Sequence, residues 1–319
     1  MLSHSLKVLW LFLALALAGG SAWLGAVHGL VLLLTVLALV IGSAGLFALQ
    51  FVAIYFRGRF GGTASSGTVA PPTLWQTLGA CWGESLGAAL AFGWWMPWRV
   101  NAQADFLPAR PTGRRGVVLI HGFVCNRGLW MRWFPLLRAR GHAYVAVNLE
   151  PVFGTIDAYV SLIDEAVQRV TRATGQPPVL LCHSMGGLAA RAWLRAGGAS
   201  GKPQVRRVEH VITIGTPHAG TALASLNPFH FSLNALQMQQ QSAWLKGLQR
   251  DEARLLAPSS VGGPYGRFTC YYSHCDNIVF PMLTATLPGA DNRHVAGTAH
   301  VAMALDAKVM DECLALLGR

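Results

Sequence analysis

The sequence is short of charge, and shortest of acid. Charged residues make up 12% of its 319 residues, against roughly 25% in an average soluble protein. Asp and Glu number 14 beside 25 Lys and Arg. From Val8 to Phe56 there is no Asp, Glu, Lys or Arg at all. As one helix at ~1.5 Å per residue that run would reach about 70 Å, more than twice the ~30 Å hydrocarbon core of a bilayer. Two spans fit it instead, about Leu6–Ala26 and about Leu30–Phe56, turning at Gly25-Ala26-Val27-His28-Gly29. A cleaved leader is the competing reading, with Lys7 ahead of an apolar core Val8–Ala18. The second run would then still anchor the chain.

Metal-ligand spacing is also missing. Cys81, Cys125, Cys182, Cys270, Cys275 and Cys313 form no CxxC pair, so no metal site is expected. They read as buried thiols of a reducing compartment, with a Cys270–Cys275 disulfide as the alternative. No internal repeat and no recognisable nucleic-acid module accompany the net charge of +11, so no nucleic-acid partner is expected. A basic face toward an anionic bilayer accounts for Arg57, Arg59, Arg99, Arg110, Arg114 and Arg115. Ordinary solvated surface accounts as well for the arginines beyond residue 120. Lys7 precedes the first span, Arg57 and Arg59 follow the second, and the turn between them has no Lys or Arg. The positive-inside rule then puts both ends on the cytoplasmic side of the cell inner membrane, with a periplasmic catalytic domain as the alternative.

What is present divides the chain. Residues 1–56 read as the anchor. Residues 57–73, rich in Gly, Ser, Thr and Pro, read as a linker. Residues 74–115 begin with a Trp-rich stretch, Trp75, Trp82, Trp94, Trp95 and Trp98. This stretch suits either a helix at the bilayer surface or a helix packed on the following domain. Glu84 is its one acid up to Trp98 and reads as a local salt-bridge or cap residue.

From Gly116 to the end, short Val- and Ile-rich runs alternate with helix-length amphipathic stretches. Strands are expected at Val117–His121, Ala143–Asn148, Pro178–Cys182, Val208–Ile214 and Phe268–Ser273. Helices are expected at Leu129–Arg140, Ile156–Thr174, Met185–Ala196 and Val301–Leu317. The alternation implies an α/β fold, a mostly parallel sheet flanked by helices.

Three segments carry chemistry. In Val179-Leu180-Leu181-Cys182-His183-Ser184-Met185-Gly186-Gly187 a strand runs directly into a serine and then a helix. In Val117-Val118-Leu119-Ile120-His121-Gly122-Phe123 a strand ends in His-Gly. In Ile214-Gly215-Thr216-Pro217-His218-Ala219-Gly220-Thr221 a strand ends in Gly-Thr-Pro-His. The first resembles the nucleophile elbow of the α/β-hydrolases, with Cys182 where the Gly-x-Ser-x-Gly pattern has glycine. The second resembles the oxyanion loop of lipases. The third looks very like the segment after the sixth strand of bacterial triacylglycerol lipases. The resemblance covers about residues 116–317 and is to the lipase/esterase-like branch of the superfamily.

The resemblance implies an α/β-hydrolase fold with a small cap at about 222–260. It implies a triad in the chain order Ser, acid, His: Ser184 as nucleophile, Asp276 as acid and His300 as base. Asp291 and His294 are the rivals for the last two. The amides of Phe123 and Met185 would form the oxyanion hole. His121 takes no proton-transfer role, and His218 precedes the acid. No metal or organic cofactor is expected. Apolar residues in the cap region, among them Leu226, Phe229, Phe231 and Leu233, suit a lipid or ester substrate. Arg127 and Trp130 either shape the pocket or start a helix. An acyltransferase or thioesterase using the same triad, and a non-catalytic member of the fold, are the other readings.

Overall fold

A computed structural model describes residues 2–24, 45, 48–56, 69–199, 207–225, 232–255 and 263–318. Its centre is a six-stranded parallel sheet in the order β2-β1-β3-β4-β5-β6. The strands are β1 Val117–Ile120, β2 Tyr144–Ala146, β3 Val179–His183, β4 His210–Ile214, β5 Phe268–Tyr272 and β6 Asp291–His294. Side chains alternate across a strand, and the sequence uses both faces. Val118, Ile120, Leu180, Cys182, Val211 and Cys270 enter one apolar core, while Val117, Leu119, Leu181, Ile212, Ile214 and Tyr271 enter the other. Register is thereby specified, since a one-residue slip would exchange the two sets.

Helices cover both faces. Helix α1 is Leu2–Leu24 and α2 is Leu74–Ala88, which runs on through a π-helical turn Ala89–Trp95 to Met96–Trp98. Next come α3 Trp133–Ala139, α4 Val160–Thr174 and α5 Met185–Ala199. The last three are α6 Ala243–Leu255, α7 His300–Leu305 and α8 Ala307–Leu317. Helix α4 buries Ile163, Ala166, Val167 and Val170 on one stripe and stops at Gly175, whose φ of 70° closes the C-terminus.

Several expected elements are altered. The helix expected at Leu129–Arg140 begins as a 3₁₀ turn, Arg127–Arg132. The last helix is two: Asp306 is extended, and its carboxylate accepts the Val309 amide as the N-cap of α8. All six cysteines are free, so the Cys270–Cys275 alternative is not formed. Arg127 and Trp130 are structural. Arg127 pairs with Asp105 at 3.0 Å, and Trp130 is fully buried against Trp133.

Only parts of the two expected spans lie among the described residues. Among the described residues no helix is long and apolar enough to cross a membrane. Leu6 packs on the core, and the Lys7 ammonium lies 5.6 Å from the Trp98 ring centroid. Most of the second expected span lies outside the described residues. Its final part, residues 48–56, is helical and turns Gln50 and Phe51 onto the domain: Phe51 packs with Ala80, Cys275 and Ala299, and Gln50 accepts from Asn277 Nδ2 at 3.1 Å. The linker lies outside the described residues as far as residue 68, and Thr73 closes it as a capping box with Gln76. The Trp-rich helix α2 packs on the domain by one face and exposes two tryptophans on the other. Thr77, Ala80, Glu84 and Gly87 form its buried face, whereas Trp75 is 80% and Trp82 74% exposed.

Candidate active site

Ser184 occupies the sharp turn from β3 into α5. Its φ of 55° is a left-handed conformation uncommon outside glycine, held by packing on every side. The Ser184 amide donates to Ile214 O at 2.9 Å, and Thr216 Oγ1 donates to Ser184 O at 2.8 Å. The Thr of the Gly-Thr-Pro-His segment is thus a brace for the elbow. A Cβ on Gly186 would stand 2.3 Å from Ile120 O, one on Gly187 2.3 Å from Thr216 Oγ1, and one on Gly122 2.7 Å from Ser184 Cβ. Helix α5 can approach β1 only because these positions lack side chains. Cys182, where the pattern has glycine, is fully buried in the core below the turn and obstructs nothing.

The contact at Gly186 is with backbone, which cannot swing away. Gly186→Ala is expected to cost about 2 kcal/mol or more, which lowers Tm by roughly 4–8 °C in a domain of this size. Calorimetry checks this, and an unchanged Tm would refute the close approach.

Asp276 lies on the loop after β5, and His300 opens α7 just after the loop that follows β6. His300 Nδ1–H donates to Asp276 Oδ2 at 2.9 Å. The other carboxylate oxygen, Oδ1, accepts the amides of Ile278 at 2.9 Å and Val279 at 2.7 Å. The acid is therefore fixed on both sides, and the ring carries its hydrogen on Nδ1, leaving Nε2 as the basic nitrogen. Gly215, with φ 59°, clears the space: a Cβ there would lie 3.0 Å from His300 Nδ1. Burial lowers the pKa of His300, but the charge and hydrogen bond of Asp276, with the charge of Glu84, outweigh it and hold it above the ordinary value. Ser184 Oγ makes no hydrogen bond among the described residues. Catalytic hydrogen bonds commonly tighten only when substrate is bound.

The rivals stand elsewhere. Asp291 is exposed at the start of edge strand β6 and pairs with Arg293 at 2.7 Å. His294 packs edge-on to His274 and tilted against Tyr272. His218 is buried behind the sheet, with Nε2 3.1 Å from Thr213 Oγ1, and its carbonyl accepts Arg191 Nη1 at 2.8 Å. Arg191 in turn forms a fully buried ion pair with Glu252 of α6, which ties α6 to α5.

His121 is structural, as expected. Burial lowers its pKa to about 4, so it is neutral. Its Nδ1–H donates to Gly122 O at 2.9 Å, and its Nε2 accepts the Leu149 amide at 3.0 Å. This fixes the loop that presents Phe123, where Val124 is strained at φ 50°. Neither the Phe123 nor the Met185 amide donates to another protein group among the described residues. Beside Phe123 lies Phe153, ring centroids 6.0 Å apart, and the Phe153 carbonyl accepts the amide of Leu233, the first residue of a short helix. An apolar wall thus flanks the loop.

Two supports were not visible as such in the sequence. His183 fills the variable position of the elbow, yet it shares a hydrogen bond with His300 O at 3.2 Å, its ring centroid 4.7 Å from that of His300. Glu84, expected to act locally, caps a helix at the other end of the chain.

A family model described as the alpha/beta hydrolase family matches residues 117–309. No curated protein matches the chain. Among solved structures, the mature lipase BlEst2 of Bacillus licheniformis is similar at 17% identity and a TM-score of 0.54, over 68% of this chain and 97% of that one. Lipase B of Aspergillus fumigatus is similar at 19% identity and a TM-score of 0.53, over 68% of this chain and 56% of that one. These likenesses concern the fold, and the family model sets the membership: the chain belongs to the alpha/beta hydrolase family.

Proposed function

We propose that this protein is a serine hydrolase of carboxylic esters that works at a membrane. The observation that carries the reading is the Asp276–His300 pair, 2.9 Å apart, beside the strand end where Ser184 sits on its strained turn. His300 Nε2 takes the Ser184 proton as Oγ attacks the ester carbonyl, and Asp276 stabilises the resulting cation. The amides of Phe123 and Met185 receive the oxyanion, a contribution of roughly 3–4 kcal/mol per donor in comparable sites. The alcohol leaves with the proton from His300, and water activated by the same base releases the acid. The catalytic unit begins near residue 116 with its cap at about 222–260. The apolar wall of Phe123 and Phe153 suits an acyl chain.

The membrane part of the reading rests on exposed apolar surface. Along α2 and its continuation Leu78, Trp82, Leu86, Leu90, Trp94 and Trp98 recur every four residues, and α1 exposes Phe12 and Leu15 at 69% and 70%. Contiguous exposed apolar surface marks a partner or a bilayer, and Trp favours the bilayer interface. The uncharged Val8–Phe56 run is the anchor, with the catalytic domain on the cytoplasmic side. A C-terminal alkaline-phosphatase fusion should then be inactive; an active one would move the domain to the periplasm.

Purified protein is expected to hydrolyse p-nitrophenyl esters, faster for acyl chains long enough to reach the wall than for acetate. No turnover of any chain length would contradict the reading. An added alcohol that collects most of the acyl group in place of water would redirect it to acyl transfer.

A further inference from the structure

Glu84 is 2% exposed, and no Lys or Arg pairs with it among the described residues. A carboxylate so buried needs hydrogen bonds, and it finds them far along the chain. Its Oε2 accepts the amides of Val301 at 2.8 Å and Ala302 at 3.0 Å, and its Oε1 accepts Val301 again at 3.2 Å. These are first-turn amides of α7, which have no intrahelical partner. The helix's own N-cap residue, Ala299, has no side-chain acceptor to offer. His300 is the first residue of that helix. It is held at its amide by Asn277 Oδ1 at 3.3 Å, at its ring by Asp276, and through the next two amides by Glu84. Gly83 and Gly87 face α7 across this contact: a Cβ on Gly87 would lie 3.6 Å from Ala302 N, an ordinary van der Waals distance.

The geometry points to Glu84 as a positioning residue for His300, supplied by the segment before the hydrolase domain and fixing the loop–helix junction that aims the base. This rests on the reading of Ser184, Asp276 and His300 as a triad. Three titratable groups face His300: Asp276 from the loop after β5, Glu84 from α2 and His183 from the end of β3. Burial keeps His183 neutral. Burial also raises the pKa of Glu84, opposed by the charge of His300 and the two amides. In the reaction Glu84 steadies the imidazolium as well as the loop, so it has an electrostatic signature that a packing residue lacks.

The test uses the full chain, with Glu84→Gln and Glu84→Ala, active sites counted by the end point of fluorophosphonate labelling. Glu84→Ala frees both amides and should lower kcat per active site by about tenfold to a hundredfold through misplacement of the base, with KM little changed. Glu84→Gln keeps an acceptor and loses the charge. It should retain most of kcat while the acid limb of kcat/KM moves to lower pH, because His300⁺ has lost a stabilising neighbour. Wild-type kcat in Glu84→Ala, or an unmoved acid limb in Glu84→Gln, overturns the inference. The second readout decides if the alanine variant does not fold. A wild-type protein without a reactive serine overturns the triad reading and this inference together; a reactive wild type with indifferent variants overturns this inference alone.

Discussion

Ser184→Ala should lower ester hydrolysis by roughly 10⁴–10⁶ in kcat, leaving only the catalysis that binding and the oxyanion donors supply. The fold should survive. The side-chain oxygen makes no hydrogen bond among the described residues, and the contacts that hold the turn, Ser184 N to Ile214 O and Thr216 Oγ1 to Ser184 O, belong to the backbone of residue 184. Steady-state hydrolysis of a p-nitrophenyl ester, with a melting curve alongside, measures both. A variant that keeps a hundredth or more of the activity at wild-type Tm would place the nucleophile elsewhere.

Asp276→Asn should cost about 10⁴ in kcat, for a reason specific to the geometry. An asparagine can keep one oxygen on the Ile278 and Val279 amides, so the loop stays formed. It must then turn its NH₂ toward His300 Nδ1, which now has to accept. The ring hydrogen moves to Nε2, where the base is needed. The charge effect has its own sign. With Asp276 present His300 has a raised pKa, so activity is full at high pH and is lost as pH falls through that raised value. Without the negative charge the residual activity should extend to lower pH. A pH profile of kcat/KM reports it, and an acid limb that stays in place would show that His300 is not the group being titrated.

Much of this site was legible in the sequence because it lies where a strand ends. A parallel sheet buried on both faces needs runs such as Val117–Ile120 and Val179–Cys182, so the strand ends could be located, and with them Ser184, Phe123 and Asp276. His300 could be placed because a glycine-containing loop precedes a helix there. The edge strand β6 is Asp291–His294, polar and partly exposed, so it carries no apolar run and the sequence places a short strand at His294 without its bounds or its partner. The break of the last helix at Asp306 depends on a side-chain cap. Local spacing shows that Asp can cap, and it does not show that the helix must end there.

Glu84 marks a different limit. Its partners are more than two hundred residues away, and no periodicity in α2 connects an acid at that position to a helix near the C-terminus. Gly83 and Gly87, which face α7 across the same contact, read in sequence only as small positions. The N-terminal region met the same limit. Its hydropathy marks an apolar run, and it does not show that Leu6, Gln50 and Phe51 contact the hydrolase domain. Hydropathy reports a preference for an apolar environment and does not distinguish a bilayer from the protein's own surface.

The central claim is that Ser184 is a nucleophile activated by His300. A fluorophosphonate probe tests it without knowledge of the substrate, since it reacts with an activated serine and stays attached. The wild-type protein should be labelled stoichiometrically, with the adduct mapped to Ser184, and both Ser184→Ala and His300→Ala should abolish it. Labelling at another residue, or none in folded wild-type protein, would contradict the account.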